Sequence, residues 1–161
     1  MSCDRRIFLL AGLAAGCGFT PVYGPGGDAE ALRGAIAFDP PRDDDGFELV
    51  RALENRLGLP GDAPRYRLSA GISLSEVGQG ITPDEEITRF SILGRARFSI
   101  IDQVTGEVAT SGEVDTFTSF SATGTPFATQ SARRDARARL MASLADQIVA
   151  RLLVTSGEWR V

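Results

Sequence analysis

The feature that most constrains this chain is a change of hydrophobic period partway along it. Tyr66, Leu68, Ala70, Ile72 and Leu74 alternate with Arg65, Arg67, Ser69, Gly71 and Ser73, the pattern of a strand with one buried face. A second alternating run places Phe90, Ile92, Gly94, Ala96, Phe98 and Ile100 on one face. Arg89, Ser91, Arg95, Arg97 and Ser99 take the other, with Leu93 and Ile101 as exceptions. A turn from Asp102 to Gly106 leads into Val108, Thr110, Gly112, Val114 and Thr116, a third strand rich in β-branched residues. Beyond it, Ala136, Leu140, Leu144, Ile148 and Leu152 recur every four residues, widened by Met141 and Leu153. That stripe predicts a long helix starting between Pro126 and Ser131 and ending near Ser156-Gly157.

Upstream, Ala35 to Phe38 suits a short strand closed by Asp39-Pro40-Pro41. Asp45 and Glu48 have capping-box spacing before a helix that carries Leu49, Val50, Leu53 and Leu57 and stops at Gly58-Leu59-Pro60. The acids Asp43 to Asp45 suit a helix N-terminus better than a cation site. The order is strand, helix, three antiparallel strands, helix. The predicted fold is an α+β two-layer sandwich with helices on one face of a mixed four-stranded sheet.

Composition removes most familiar chemistry. The chain has no histidine, and all 17 of its basic residues are arginine. Imidazole bases and ligands, a Schiff-base lysine and a P-loop lysine are therefore unavailable. A net charge of −4 gives no general attraction to nucleic acid. No cofactor and no catalytic residue is expected. The carboxylates Asp84, Glu85 and Glu86 offer a hydrolase alternative, but adjacent loop acids repel one another and stay solvated.

The first residues read as an address. Arg5 and Arg6 precede the uncharged run Ile7 to Gly16, which covers about 15 Å of a hydrocarbon layer about 30 Å thick, so a signal peptide fits better than a transmembrane anchor. Leu13-Ala14-Ala15-Gly16-Cys17 resembles a bacterial lipobox, although Ala14 stands where Leu, Val or Ile is usual. The expectation is removal of residues 1–16 and lipidation of Cys17. Residues 17–29 then form a Gly/Pro-rich tether, 30–157 the folded domain and 158–161 a short tail.

The lipobox, the Cys17-Gly18-Phe19-Thr20-Pro21-Val22-Tyr23 start, the stretch Ser121 to Thr129 and the arginine-rich Ala-Leu helix after it together resemble the LptE family. These are lipopolysaccharide-assembly lipoproteins, and the likeness is to their alphaproteobacterial branch. The resemblance implies a non-enzymatic lipoprotein anchored to the periplasmic face of the outer membrane. It would plug and support the LptD β-barrel and help lipopolysaccharide into the outer leaflet. An auxiliary lipoprotein of a lipid-transporting ABC system is the alternative.

Family residues that touch ligand do not align to a motif here, so candidates come from chemistry. Arg89, Arg95 and Arg97 lie on one strand face, where planar guanidinium groups suit the phosphates or acidic sugars of lipopolysaccharide. Pairing with Glu113 and Asp115 on the next strand is the competing reading, and Arg65 and Arg67 share that ambiguity. Arg133, Arg134, Arg137 and Arg139 form a weaker second group. Phe117, Phe120 and Phe127 suit either a barrel wall or the core.

Overall fold

A computed structural model describes residues 27–81 and 87–160. The expected signal peptide, Cys17 and most of the tether lie outside the described residues, as do Asp84, Glu85 and Glu86. A five-residue helix α1 (Asp28–Leu32) comes first; its first two residues belong to the expected tether, and Leu32 is fully buried and holds the turn against the core. Strand β1 (Ile36–Phe38) follows, then helix α2 (Asp44–Leu57). Three long strands come next, β2 (Tyr66–Ile81), β3 (Ile87–Asp102) and β4 (Val108–Ser121), and helix α3 (Pro126–Trp159) closes the chain. The sheet order is β1-β2-β3-β4, with β1 parallel to β2 and the remaining pairs antiparallel. This is the mixed four-stranded α+β sandwich that the alternation and the helical stripes predict.

One face of the sheet supplies Leu68, Ile92, Ala96, Phe98, Ile100 and Val114 to the core, all on the predicted inward register. From the helix layer come Leu49, Leu53 and Leu57 of α2 and the whole α3 stripe from Ala136 to Leu152. Val50 is only half-buried. The layers approach closely at Gly94, where an added Cβ would lie 2.9 Å from Leu140 Cδ2 and 3.2 Å from Leu144 Cδ1. Gly94→Val is therefore expected to push α3 off the sheet and cost about 1–3 kcal/mol, read as a lowered denaturation midpoint with an unchanged fold.

Two helix boundaries differ from the sequence reading. Asp43, not Asp45, caps α2: its backbone is extended and its Oδ1 accepts the Gly46 N–H at 2.7 Å. Asp45 instead sits inside the first turn against Arg137, 3.0 Å away. At the other end α3 runs through Gly157 to Trp159, because the indole packs edge-on against Tyr66 (5.1 Å, 84°) and donates to Thr155 Oγ1 at 3.2 Å.

The turn between β3 and β4 forms as expected around Asp102. Its Oδ1 accepts the Val104 N–H at 2.8 Å, its Oδ2 takes Arg65 at 2.9 Å, and Gly106 supplies the positive φ of 77°. The Val104 amide and Arg65 hold the Asp102 carboxyl below its ordinary value, and Arg56 does the same for Asp146 at the junction of α2 and α3. Asp45 shifts the opposite way: burial raises it, Arg137 opposes, and Asp43 and Asp44 add to the rise.

For Asp102 and Asp146 the folded value lies below the unfolded 3.8, so their stabilisation is complete above that pH and is lost as pH falls through the folded values. For Asp45 the sign reverses: its contribution is present below 3.8 and fades as pH rises through its folded value. Melting curves should therefore show a drop below about pH 4 that shrinks when Asp102 and Asp146 are both replaced by asparagine. An identical acid response in that double variant would refute the assignment.

Candidate functional site

The face of the sheet turned away from the helices carries the candidate arginines. Antiparallel register sets its rows: Gly71, Arg97 and Glu113; Ser73, Arg95 and Asp115; Ser75, Leu93 and Phe117; Gln79, Arg89 and Ser121. Arg95 and Arg97 are neighbours on this face, and both turn to one carboxylate, Glu113, at 3.2 and 2.5 Å. Asp115, although directly opposite Arg95, is not the acid it pairs with. Arg89 stands six residues from Arg95, about 20 Å along an extended strand, and donates to Ser119 Oγ at 3.1 Å. The structure thus brings Arg95 and Arg97 together and leaves Arg89 apart.

Cross-strand pairing does not consume the arginines. Arg95 and Arg97 remain 52% and 73% exposed; with Glu113 and Asp115 on the neighbouring strand the patch is balanced in charge, but both guanidinium groups stay open to solvent. Exposed pairs of this kind contribute at most about 1 kcal/mol each, so an incoming anion can compete for them. Beside them Leu93 and Phe117 pair across the strands and are 48% and 73% exposed, an apolar band between Arg95 and Arg89. Ser73, Ser75, Leu93, Arg95 and Asp115 line a shallow depression of about 260 Å³ there. Acidic groups and hydrocarbon can be held side by side on such a surface.

Five of the other six candidate arginines pair within the fold, and Arg134 is exposed on α3. Arg65 pairs with Asp102 (2.9 Å) and Arg67 approaches Asp39 (3.8 Å). On α3, Arg133 bridges to Glu76 on β2 (2.9 Å) and lies 5.4 Å over the Phe120 ring; Arg137 reaches Asp45 on α2, and Arg139 pairs with Asp135 one turn earlier. Arg133 and Arg137 therefore tie α3 to its neighbours. Of the three phenylalanines, Phe120 belongs to the core, stacked on Phe90 at 5.4 Å, whereas Phe117 and Phe127 are 73% and 80% exposed.

The first missed feature is a groove of about 670 Å³ between the Pro40-Pro41 bend, α2 and the outer edge of β2. Only the proline pair signalled it, by forcing β1 to end. Among the described residues no helix is long and apolar enough to cross a membrane, and no acid or thiol cluster is arranged to hold a metal ion.

Comparison with known proteins follows the architecture. A lipoprotein of Caulobacter crescentus superposes with a TM-score of 0.68 at 18% identity, covering 81% of this chain and 97% of its own. Rare lipoprotein B of Shewanella oneidensis gives 0.59 at 14% identity, over 76% and 95%. Lipoprotein B of Nitrosomonas europaea gives 0.55 at 10%, over 76% and 83%. At these identities the likeness is one of fold. No curated protein matches the chain. The family model for lipopolysaccharide assembly, LptE, matches residues 34–152, from the turn before β1 into the last third of α3. That span holds the whole sheet, α2 and most of α3, and the chain belongs to the LptE lipopolysaccharide-assembly family.

Proposed function

We propose that this lipopolysaccharide-assembly lipoprotein is held on the periplasmic face of the outer membrane by acyl chains on Cys17. There it occupies and supports the LptD β-barrel and assists lipopolysaccharide toward the outer leaflet, without catalysing a reaction. The observation that carries this reading is the family match across residues 34–152, which spans the whole sheet, α2 and most of α3. The chain's chemistry agrees with it, since neither histidine nor lysine is present for the usual acid–base or covalent mechanisms.

Lipopolysaccharide contact is assigned to Arg95 and Arg97 with the Leu93–Phe117 band, and Arg89 serves as an outlying cation. Arginine to phosphate geometry is bidentate and charge-assisted, so anion contact can replace the shared Glu113 carboxylate. Substituting Arg89, Arg95 and Arg97 together by glutamine should weaken lipopolysaccharide binding about tenfold while moving the melting temperature little, because these side chains are exposed. Glu113→Gln should do the reverse and raise affinity a few-fold by freeing both arginines. Unchanged affinity in both variants, measured with purified lipopolysaccharide, would remove this face from consideration.

Partnership is tested by purifying the lipidated protein from outer membranes. A stoichiometric β-barrel of LptD size is the expected companion. Recovery with inner-membrane transporter components instead would overturn the reading.

A further inference from the structure

Strand β2 is 16 residues long, but β1 covers only its first three: Ile36, Ala37 and Phe38 pair with Tyr66, Arg67 and Leu68. The Tyr66 N–H donates to Ala35 O and Leu68 O accepts from Asp39 N, both at 3.0 Å, so even-numbered residues of β2 direct their backbone groups to this side. Pro40 and Pro41 then carry the chain away. From Ala70 through Ile72 and Leu74 the same N–H and C=O row continues, and among the described residues it meets no partner strand.

Natural edges are usually guarded by charges, prolines or bulges. This one is not. Between Ser69 and Ile81 the sequence SAGISLSEVGQGI has a single ionisable residue, Glu76, and that side chain is tied to Arg133. Alongside the open row lies the 670 Å³ groove, with Leu49, Val50 and Leu53 of α2 facing Ala70 and Ile72 of β2 and with Asp43 at its rim. A strand added here would extend β1's own position in the sheet, with every second side chain entering the groove.

We propose that the outer edge of β2 from Ala70 to Leu74 is a β-augmentation site that takes an extended segment of the partner barrel protein, with apolar residues at alternate positions. This rests on the barrel partnership proposed above. The occupant is a loop or terminal extension rather than the barrel wall, since the strands of a closed barrel have no free edge. The chain's own segment Gly18 to Gly26 is a poorer occupant, because two prolines and three glycines among nine residues suit strand pairing badly.

Hydrogen exchange on the full lipidated protein, free in detergent and bound to its co-purified barrel, tests this. Expected is slowing of at least about tenfold at the Ala70, Ile72 and Leu74 amides on binding, with the β2–β3 ladder amides of Gly71 and Ser73 protected in both states. Ala70→Pro, which removes an edge donor but no β2–β3 ladder bond, should keep the fold and weaken the complex about tenfold; Gly71→Pro should instead disrupt the sheet. If the complex forms but these edge amides exchange as fast as in the free protein, the inference fails while the partnership stands. Protection already present in the free protein, whether lost on deleting residues 18–26 or on dilution, would assign the edge to the chain itself or to a second copy and overturn it. A wild-type protein that binds no barrel overturns both.

Discussion

Leu144→Ala is expected to be the most damaging single truncation in the fold, costing about 3–5 kcal/mol. Leu144 is fully buried on the α3 stripe, and its Cδ1 sits over Gly94, where the sheet has no side chain to fill the space. A cavity there cannot be closed by Gly94, and the neighbouring Leu140, Ile148 and Ala96 are themselves fully buried. For a domain of this size the loss corresponds to a melting temperature lower by about 10 °C. Denaturant titration should show the midpoint falling with the slope unchanged. A loss under about 1 kcal/mol would mean that α3 is not seated on Gly94.

The second large effect concerns location rather than folding. Cys17→Ser should abolish acylation and reduce the amount of protein in the outer-membrane fraction by roughly a hundredfold, because each buried methylene contributes about 0.8 kcal/mol and several chains act together. Intact-mass measurement gives the direct readout: a diacylglyceryl adduct on a chain starting at Cys17 in the wild type, and none in the variant. A wild-type chain that starts at Met1 with a free thiol would contradict the proposed anchor.

Much of the architecture is local and therefore visible in the sequence. Alternation in Tyr66 to Leu74 and Phe90 to Ile100, and the four-residue stripe from Ala136 to Leu152, identify which face of each element is buried, and the burial pattern follows them except at Ser91, which is buried on the outward register. What escaped depends on relations between distant residues. Asp43 and Asp45 both offer carboxylates near the start of α2; which one caps is decided by where the chain leaves the extended Pro40-Pro41 segment and by Arg137 arriving from α3 to claim Asp45. Gly157 looks like a helix end, yet Trp159 gains a site on Tyr66, nearly a hundred positions earlier, and the helix continues.

The candidate face shows the same division. That Arg95 and Arg97 share a strand face is a matter of period two. That Glu113 serves both, and that Asp115 does not pair with Arg95, follows from side-chain reach across the β3–β4 register, which no single strand encodes. The open edge of β2 is also invisible locally, since it arises from the mismatch between a three-residue β1 and its long neighbour.

Depletion of the protein in its own cells tests its participation in lipopolysaccharide assembly most directly. Surface-exposed lipopolysaccharide, quantified by labelling intact cells, should fall several-fold while newly made lipopolysaccharide accumulates inside the outer membrane. Unchanged surface lipopolysaccharide after complete depletion would contradict it.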